Sequence, residues 1–109
     1  MTIDKKFIDH FVNVSSKASI ASSYLVGKKD KNAADQAAVD SMRTELNKID
    51  MNGKVVIGEG TLDAAPMLYT GELLGNKNGL EFDIAVDPVE GTNFAANNLP
   101  GAISVIAIA

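Results

Sequence analysis

Phe7, Phe11, Val14, Ala18, Ala21 and Leu25 follow one another at alternating steps of four and three residues. That spacing returns apolar side chains to one face of a 3.6-residue turn, so residues 4–26 are predicted to form a helix with one dry stripe. Thr2 is the expected N-cap and Gly27 the expected stop. After the polar link KKDKN a second stripe appears, Val39, Met42, Leu46 and Ile49. One further step of four towards the N-terminus lands on Asp35, an acid at a position the pattern reserves for the core side. Beyond the turn signal DMNG the helical period is lost, and short apolar runs separated by Gly, Pro and Asn take over. Helices first and strands afterwards predict an α+β architecture, with helices packed on a largely antiparallel sheet.

The runs differ in clarity. KVVIG reads as a buried strand that ends at Glu59 and Gly60. In TLDAAPMLYTGELLG, Pro66 opposes a continuous helix, and a loop leading into a strand from Met67 to Glu72 is expected. GNKNG reads as a hairpin connection. In FDIAVD, Phe82, Ile84 and Val86 share one face while Asp83, Ala85 and Asp87 share the other. GTNFAANNLPG is a loop or a short helix, and AISVIAIA is the last strand. That final run is β-branched and nearly uncharged, as buried strands are. It is expected either to pair inside an oligomer or to belong to the front part of a longer polypeptide.

Composition narrows the chemistry. The 109 residues carry 14 acidic groups against 10 Lys and Arg, with no basic cluster, so the electrostatic footprint of nucleic-acid binding is missing. The absence of Cys rules out a disulfide framework, a thiolate zinc site and a cysteine nucleophile. The single His10, beside the first apolar stripe, cannot build a histidine metal cluster. No apolar run approaches the roughly 18 residues of a membrane helix. The N-terminus lacks the apolar core of a secretory signal, and a cytoplasmic protein is expected.

The acids offer the remaining route to function. Pro88 lacks a ladder donor and fixes its own φ, so the backbone is expected to leave the sheet after Asp87 and to turn within three residues, bringing Asp87 and Glu90 to a common point. Their repulsion then calls for a shared proton, a basic partner or a metal cation. With hard oxygen donors at hand and sulfur and imidazole nearly absent, Mg²⁺ is favoured over Zn²⁺. The plainer reading is a solvated turn with two surface acids. If a short helix begins after Glu90, the N–H groups of Gly91, Thr92 and Asn93 form a cradle for phosphate; Thr92 could equally be a simple N-cap. Glu59, between Gly58 and Gly60, would point off the end of its strand, with Asp63 four residues on. Asp35 has its own modest explanation, a capping pair with Asn32. Lys31 could meet a phosphate. Asp83 lies on the order of 13 Å along an extended strand from Asp87 and should not share its ion.

In their order, DKNAAD, VVIGEG, LDAAPMLYTGE and DIAVDPVEGT resemble the N-terminal part of class II fructose-1,6-bisphosphatases, which belong with inositol monophosphatases to a magnesium-dependent, lithium-sensitive phosphatase superfamily. DPVEGT and GEG are common to the superfamily, whereas DAAPMLYTGE is specific to this class. The resemblance implies an αβαβα sugar-phosphatase sandwich, of which residues 1–109 supply the N-terminal helices and part of a sheet. It further implies a Mg²⁺- or Mn²⁺-dependent, homo-oligomeric cytoplasmic hydrolase of gluconeogenesis that removes the 1-phosphate of fructose 1,6-bisphosphate. By the same resemblance Asp35, Glu59, Asp87 and Glu90 hold metal, with the carbonyl of Pro88 or Val89 as a possible addition. Thr92 with a nearby acid activates water, and Asp63 and Lys31 serve catalysis or hold substrate. Thr61 stands where the family pattern has an acid. Family members are about three times as long. Two alternatives stay open, an inositol-monophosphatase-like enzyme of other substrate and a non-catalytic fragment or oligomerisation module.

Overall fold

A computed structural model describes residues 4–59 and 68–109. Two helices come first: α1, Lys5–Ser23, and α2, Lys31–Leu46. The apolar stripes lie where the spacing put them, with Phe7, Phe11, Val14 and Ala18 of α1 and Val39, Met42 and Leu46 of α2 buried. Their caps differ from expectation. Asp4 closes the start of α1 by accepting from the Lys6 N–H at 3.1 Å, Thr2 lying outside the described residues. The helix ends at Ser23, and Gly27 is reached only after a further turn, where its N–H donates to the Ala95 carbonyl at 3.0 Å. Asp30 caps α2 by accepting from the Ala33 N–H at 3.0 Å.

The sheet is four-stranded in the order β2-β1-β3-β4, from β1, Met51–Ile57, β2, Leu73–Leu74, β3, Leu80–Glu90, and β4, Ile103–Ile108. Both outer pairs are antiparallel, as the sequence suggested, but the central pair β1–β3 is parallel. GNKNG is therefore no hairpin. Residues 75–79 wrap round the start of β1 instead: Asn76 N–H donates to the Ile49 carbonyl and Lys77 N–H to that of Met51, carrying the chain from one side of β1 to the other. Gly75 permits this passage, at φ +98 with its would-be Cβ only 2.4 Å from the Met51 carbonyl oxygen. Of the expected strand at 67–72, Met67 lies outside the described residues; among those described the ladder with β1 is formed by Leu73 and Leu74, which follow Glu72.

Both helices cover one face of the sheet. Phe82 of β3 meets Phe7 and Phe11 edge-on, at 5.1 and 5.9 Å between ring centres, so the aromatic contact locks α1 to the centre of the sheet. Ile84, Val86, Val55, Met51 and Leu74 complete the core. A short third helix, α3, Thr92–Ala96, follows β3 and packs on α2. β4 is an edge strand among the described residues, with Ile103 and Val105 exposed on the sheet's other face.

Candidate active site

The connection Asn47–Asp50 is short, so β1 runs back along α2 towards that helix's start. The lengths match: 16 residues of helix at about 1.5 Å and 7 of strand at about 3.3 Å each span roughly 23 Å. Glu59, two residues past β1, thereby arrives beside the first turns of α2 and Asp35. Parallel pairing brings the third element to the same edge. Ile57 is opposite Ala85, which leaves Glu59 and Asp87 each two residues beyond that pair. An antiparallel β1–β3 pair would have placed these acids at opposite ends of the sheet.

β3 does not leave the sheet after Asp87. It continues to Glu90 through a bulge, Asp87 opposing Val105 and Glu90 opposing Ile103, so that three steps on β3 answer two on β4. The missing N–H of Pro88 is accommodated in that irregular stretch, where a ladder donor is not required. In a regular strand residues three apart face opposite ways. Here Pro88 and Val89 are both buried, and this pair of consecutive inward residues turns Asp87 and Glu90 to the same open side. The expected turn is replaced by a bulge, which sets both acids on one side of the strand.

Asn32, Asp35, Glu59, Asp87, Val89, Glu90 and Gly91 line one cleft of about 440 Å³. Asp35, Glu59 and Asp87 are half-buried and Glu90 is exposed. Burial raises the Asp35 carboxyl, the nearby Asp87 charge raises it further, and a hydrogen bond with Glu59 opposes both. Glu59 is pushed up to about 8, by burial first and then by the charges of Asp35 and Asp87, with Arg43 pulling the other way. Burial and the Glu90 charge raise Asp87, against a hydrogen bond from the Val89 N–H. A hydrogen bond between two carboxyl groups needs a proton, which Asp35 and Glu59 share. The Oε1 atom of Glu59 is buried without a hydrogen-bond partner among the described residues.

The cleft lines up these carboxylates without drawing them to a single point. Among the described residues no three His, Asp or Glu side chains stand close enough to hold a metal ion as they are placed. The other expected site residues sit around the same edge. Lys31 is the first residue of α2, and Gly91, half-buried at φ +81, leads into Thr92 and Asn93 at the start of α3. Asp63 lies outside the described residues, as does Thr61. Asp83 is exposed and lines a different hollow, as expected of a residue that shares no ion with Asp87. Asp35 is not a first-turn capping acid, because Asp30 holds that place.

Two features were not read from the sequence. Asn32 lines the cleft. More consequentially, Arg43 of α2 makes a two-pronged ion pair with Glu72, Nε to Oε2 at 2.7 Å and Nη2 to Oε1 at 3.0 Å. A buried Glu72 could not be anticipated from YTGELLG, where nothing distinguishes it from a loop acid.

Two helices over one face of a mixed sheet, with an acid-lined cleft at the strand ends, define an α+β domain of a kind already seen in a solved protein. The extragenic suppressor of Pyrococcus furiosus superimposes with a TM-score of 0.62 over 96% of this chain and 40% of that one, at 14% identity, a likeness of fold. Residues 5–109 match the family described as bacterial fructose-1,6-bisphosphatase, glpX-encoded, and the chain belongs to that family. Its relatives include D-fructose 1,6-bisphosphatase class 2/sedoheptulose 1,7-bisphosphatase of Prochlorococcus marinus. The protein of strain MIT 9303 is 49% identical and that of strain MIT 9515 is 50% identical, each over 105 residues and 96% of this chain. The chain spans 31% and 32% of those two relatives, about a third of their length.

Proposed function

We propose that the polypeptide carrying this chain is a divalent-cation-dependent phosphatase that hydrolyses the 1-phosphate of fructose 1,6-bisphosphate, giving fructose 6-phosphate and phosphate. The observation that carries this reading is the buried Oε1 of Glu59, without a hydrogen-bond partner among the described residues, in a cleft lined by three further carboxylates. A buried carboxylate oxygen among other acids is stabilised by a cation. The donor set fits Mg²⁺ or Mn²⁺, being entirely hard oxygen. Mutual repulsion between the carboxylates opposes their convergence unless a cation or a proton lies between them.

Asp35, Glu59, Asp87 and Glu90 would hold the cation. When bound, it supplies positive charge for the phosphate oxygens and the departing alkoxide, and acidifies water. Thr92 and Asp63 are assigned to orienting that water and taking its proton as the new P–O bond forms and the bond to the sugar oxygen breaks. Lys31 and the N–H groups of Gly91, Thr92 and Asn93 are assigned to the phosphate. Self-association, a cytoplasmic place and a role in gluconeogenesis belong to the same proposal. No helix among the described residues is long and apolar enough to cross a membrane.

A second substrate is favoured by the relatives' own name, which includes sedoheptulose 1,7-bisphosphate; both sugars are ketose bisphosphates with a phosphate at carbon one. The test is phosphate release by the whole polypeptide with each bisphosphate, an inositol phosphate and a metal-free control. Turnover of one or both ketose bisphosphates is expected, dependent on Mg²⁺ or Mn²⁺ and lost in Asp87→Ala at saturating substrate. Unchanged turnover in that variant would refute the site assignment, and preference for the inositol phosphate would refute the substrate.

A further inference from the structure

We infer that Arg43 and Glu72 are a positioning pair that fixes where the Glu59 carboxylate stands; this rests on the reading of Glu59 as a cation ligand. Arg43 is eight residues beyond Asp35 on α2. Its guanidinium grips Glu72 with two parallel bonds, at 2.7 and 3.0 Å, and Glu72 is buried. A forked bond to a buried carboxylate fixes direction as well as distance, which a single ammonium contact does not.

The backbone held by this fork lies alongside the end of β1. Val55 N–H donates to the Glu72 carbonyl at 2.9 Å, Gly71 N–H donates to the Val55 carbonyl at 2.7 Å, and Glu59 N–H donates to the Leu68 carbonyl at 2.9 Å. Gly58 allows the two segments to touch, since a Cβ there would lie 2.4 Å from the Leu68 carbonyl oxygen and 3.1 Å from the Thr70 nitrogen. Residues 68–72 thus form a rail along which the chain runs out to Glu59. β2 anchors the far end of that rail with only two residues. The Arg43–Glu72 fork ties it to α2, the helix that also carries Asp35. Two of the four carboxylates in the cleft are therefore set relative to each other through this pair.

A pair that only holds the fold together would lower thermal stability when broken and leave the cation affinity of the folded protein unchanged. The two roles separate in a Mn²⁺ titration followed by electron paramagnetic resonance, well below each variant's melting temperature, on wild type, Arg43→Gln, Glu72→Gln, the double variant, Arg43→Lys and Glu59→Gln. Loss of supporting contacts around a metal ligand weakens affinity by about 10- to 100-fold. The expected result is Mn²⁺ binding about tenfold weaker in Arg43→Gln and in Glu72→Gln, no further loss in the double variant, and partial recovery in Arg43→Lys. Hydrogen exchange at the Glu59 amide should quicken in Glu72→Gln. Unchanged affinity in both single variants, or losses that simply add in the double, would overturn the positioning role while Glu59→Gln still fails to bind. Wild-type affinity in Glu59→Gln would overturn the cation reading itself. Should Arg43→Gln fail to fold, Glu72→Gln and Arg43→Lys decide the matter.

Discussion

Glu59 occupies an unwelcoming place for a negative charge: half-buried, facing two other acids, with one oxygen unpartnered among the described residues. Burial and the neighbouring acids push its pKa up to about 8, so replacing the carboxyl by an amide should alter the stability of chelator-treated protein little at neutral pH. Cation binding is a different matter. At one hundred times its dissociation constant, Mn²⁺ should stabilise the wild type by about 2.7 kcal/mol. A thermal shift of that origin is expected in the wild type and not in Glu59→Gln; equal shifts in both would remove Glu59 from the site. Glu45 shows the opposite electrostatics. Its carboxylate lies 2.9 Å from Lys48 and 3.2 Å from Lys17, tying α2 to α1, and these partners, Lys48 foremost, hold its pKa below the usual range. A lowered folded-state pKa gives stability that is present above the unfolded value and lost as pH falls through the folded one. Glu45→Gln should therefore lower stability by less than about 1 kcal/mol at neutral pH, in line with exposed pairs. That difference should vanish in urea unfolding on acidification below the ordinary glutamate range, and a difference that persists there would mean the effect is not ionic.

At the scale of elements, the cleft depends on three devices: α2 and β1 of matched length, the parallel pairing of β1 with β3, and the bulge at Pro88. The helix stripes were legible because a buried face repeats every three or four residues whatever it packs against. The alternation of Phe82, Ile84 and Val86 was legible for the same reason. Strand partners were not, because a strand's own periodicity says nothing of which neighbour it pairs with or in which direction. GNKNG carries the residues of a hairpin and serves as a wrap round β1; the difference lies in contacts of Gly75 with Met51, over twenty residues away. The bulge left a trace in DPVE, read as an exit from the sheet, since a proline signals a missing donor without saying whether the ladder resumes. Gly58 tests the packing of the rail on β1. A methyl group at this position meets the Leu68 carbonyl oxygen at 2.4 Å, so Gly58→Ala should destabilise the protein by about 1–3 kcal/mol in denaturant melts, as overpacking does. Wild-type stability in that variant would show that residues 68–70 do not lie against β1 as described.

For the whole molecule, the helices cover one face of the sheet while Val56, Leu73, Ile103 and Val105 remain exposed on or near the other. That division sets the cleft at the strand ends, open to a substrate and floored by the bulge of β3. The candidate acids themselves were legible from their motifs, Asp35 through its misplaced position in an apolar stripe and the others through glycine and proline at strand ends. Their relative placement was not, because it arises from crossovers and from the Arg43–Glu72 fork, contacts between residues distant in sequence. The central claim is that these four carboxylates share a divalent cation. Crystals of the protein soaked in Mn²⁺ and measured at the manganese absorption edge test it most directly. The prediction is an anomalous peak within ligating distance of Asp35, Glu59, Asp87 and Glu90 that disappears in Asp87→Ala; a peak elsewhere, or none in the wild type, would contradict it.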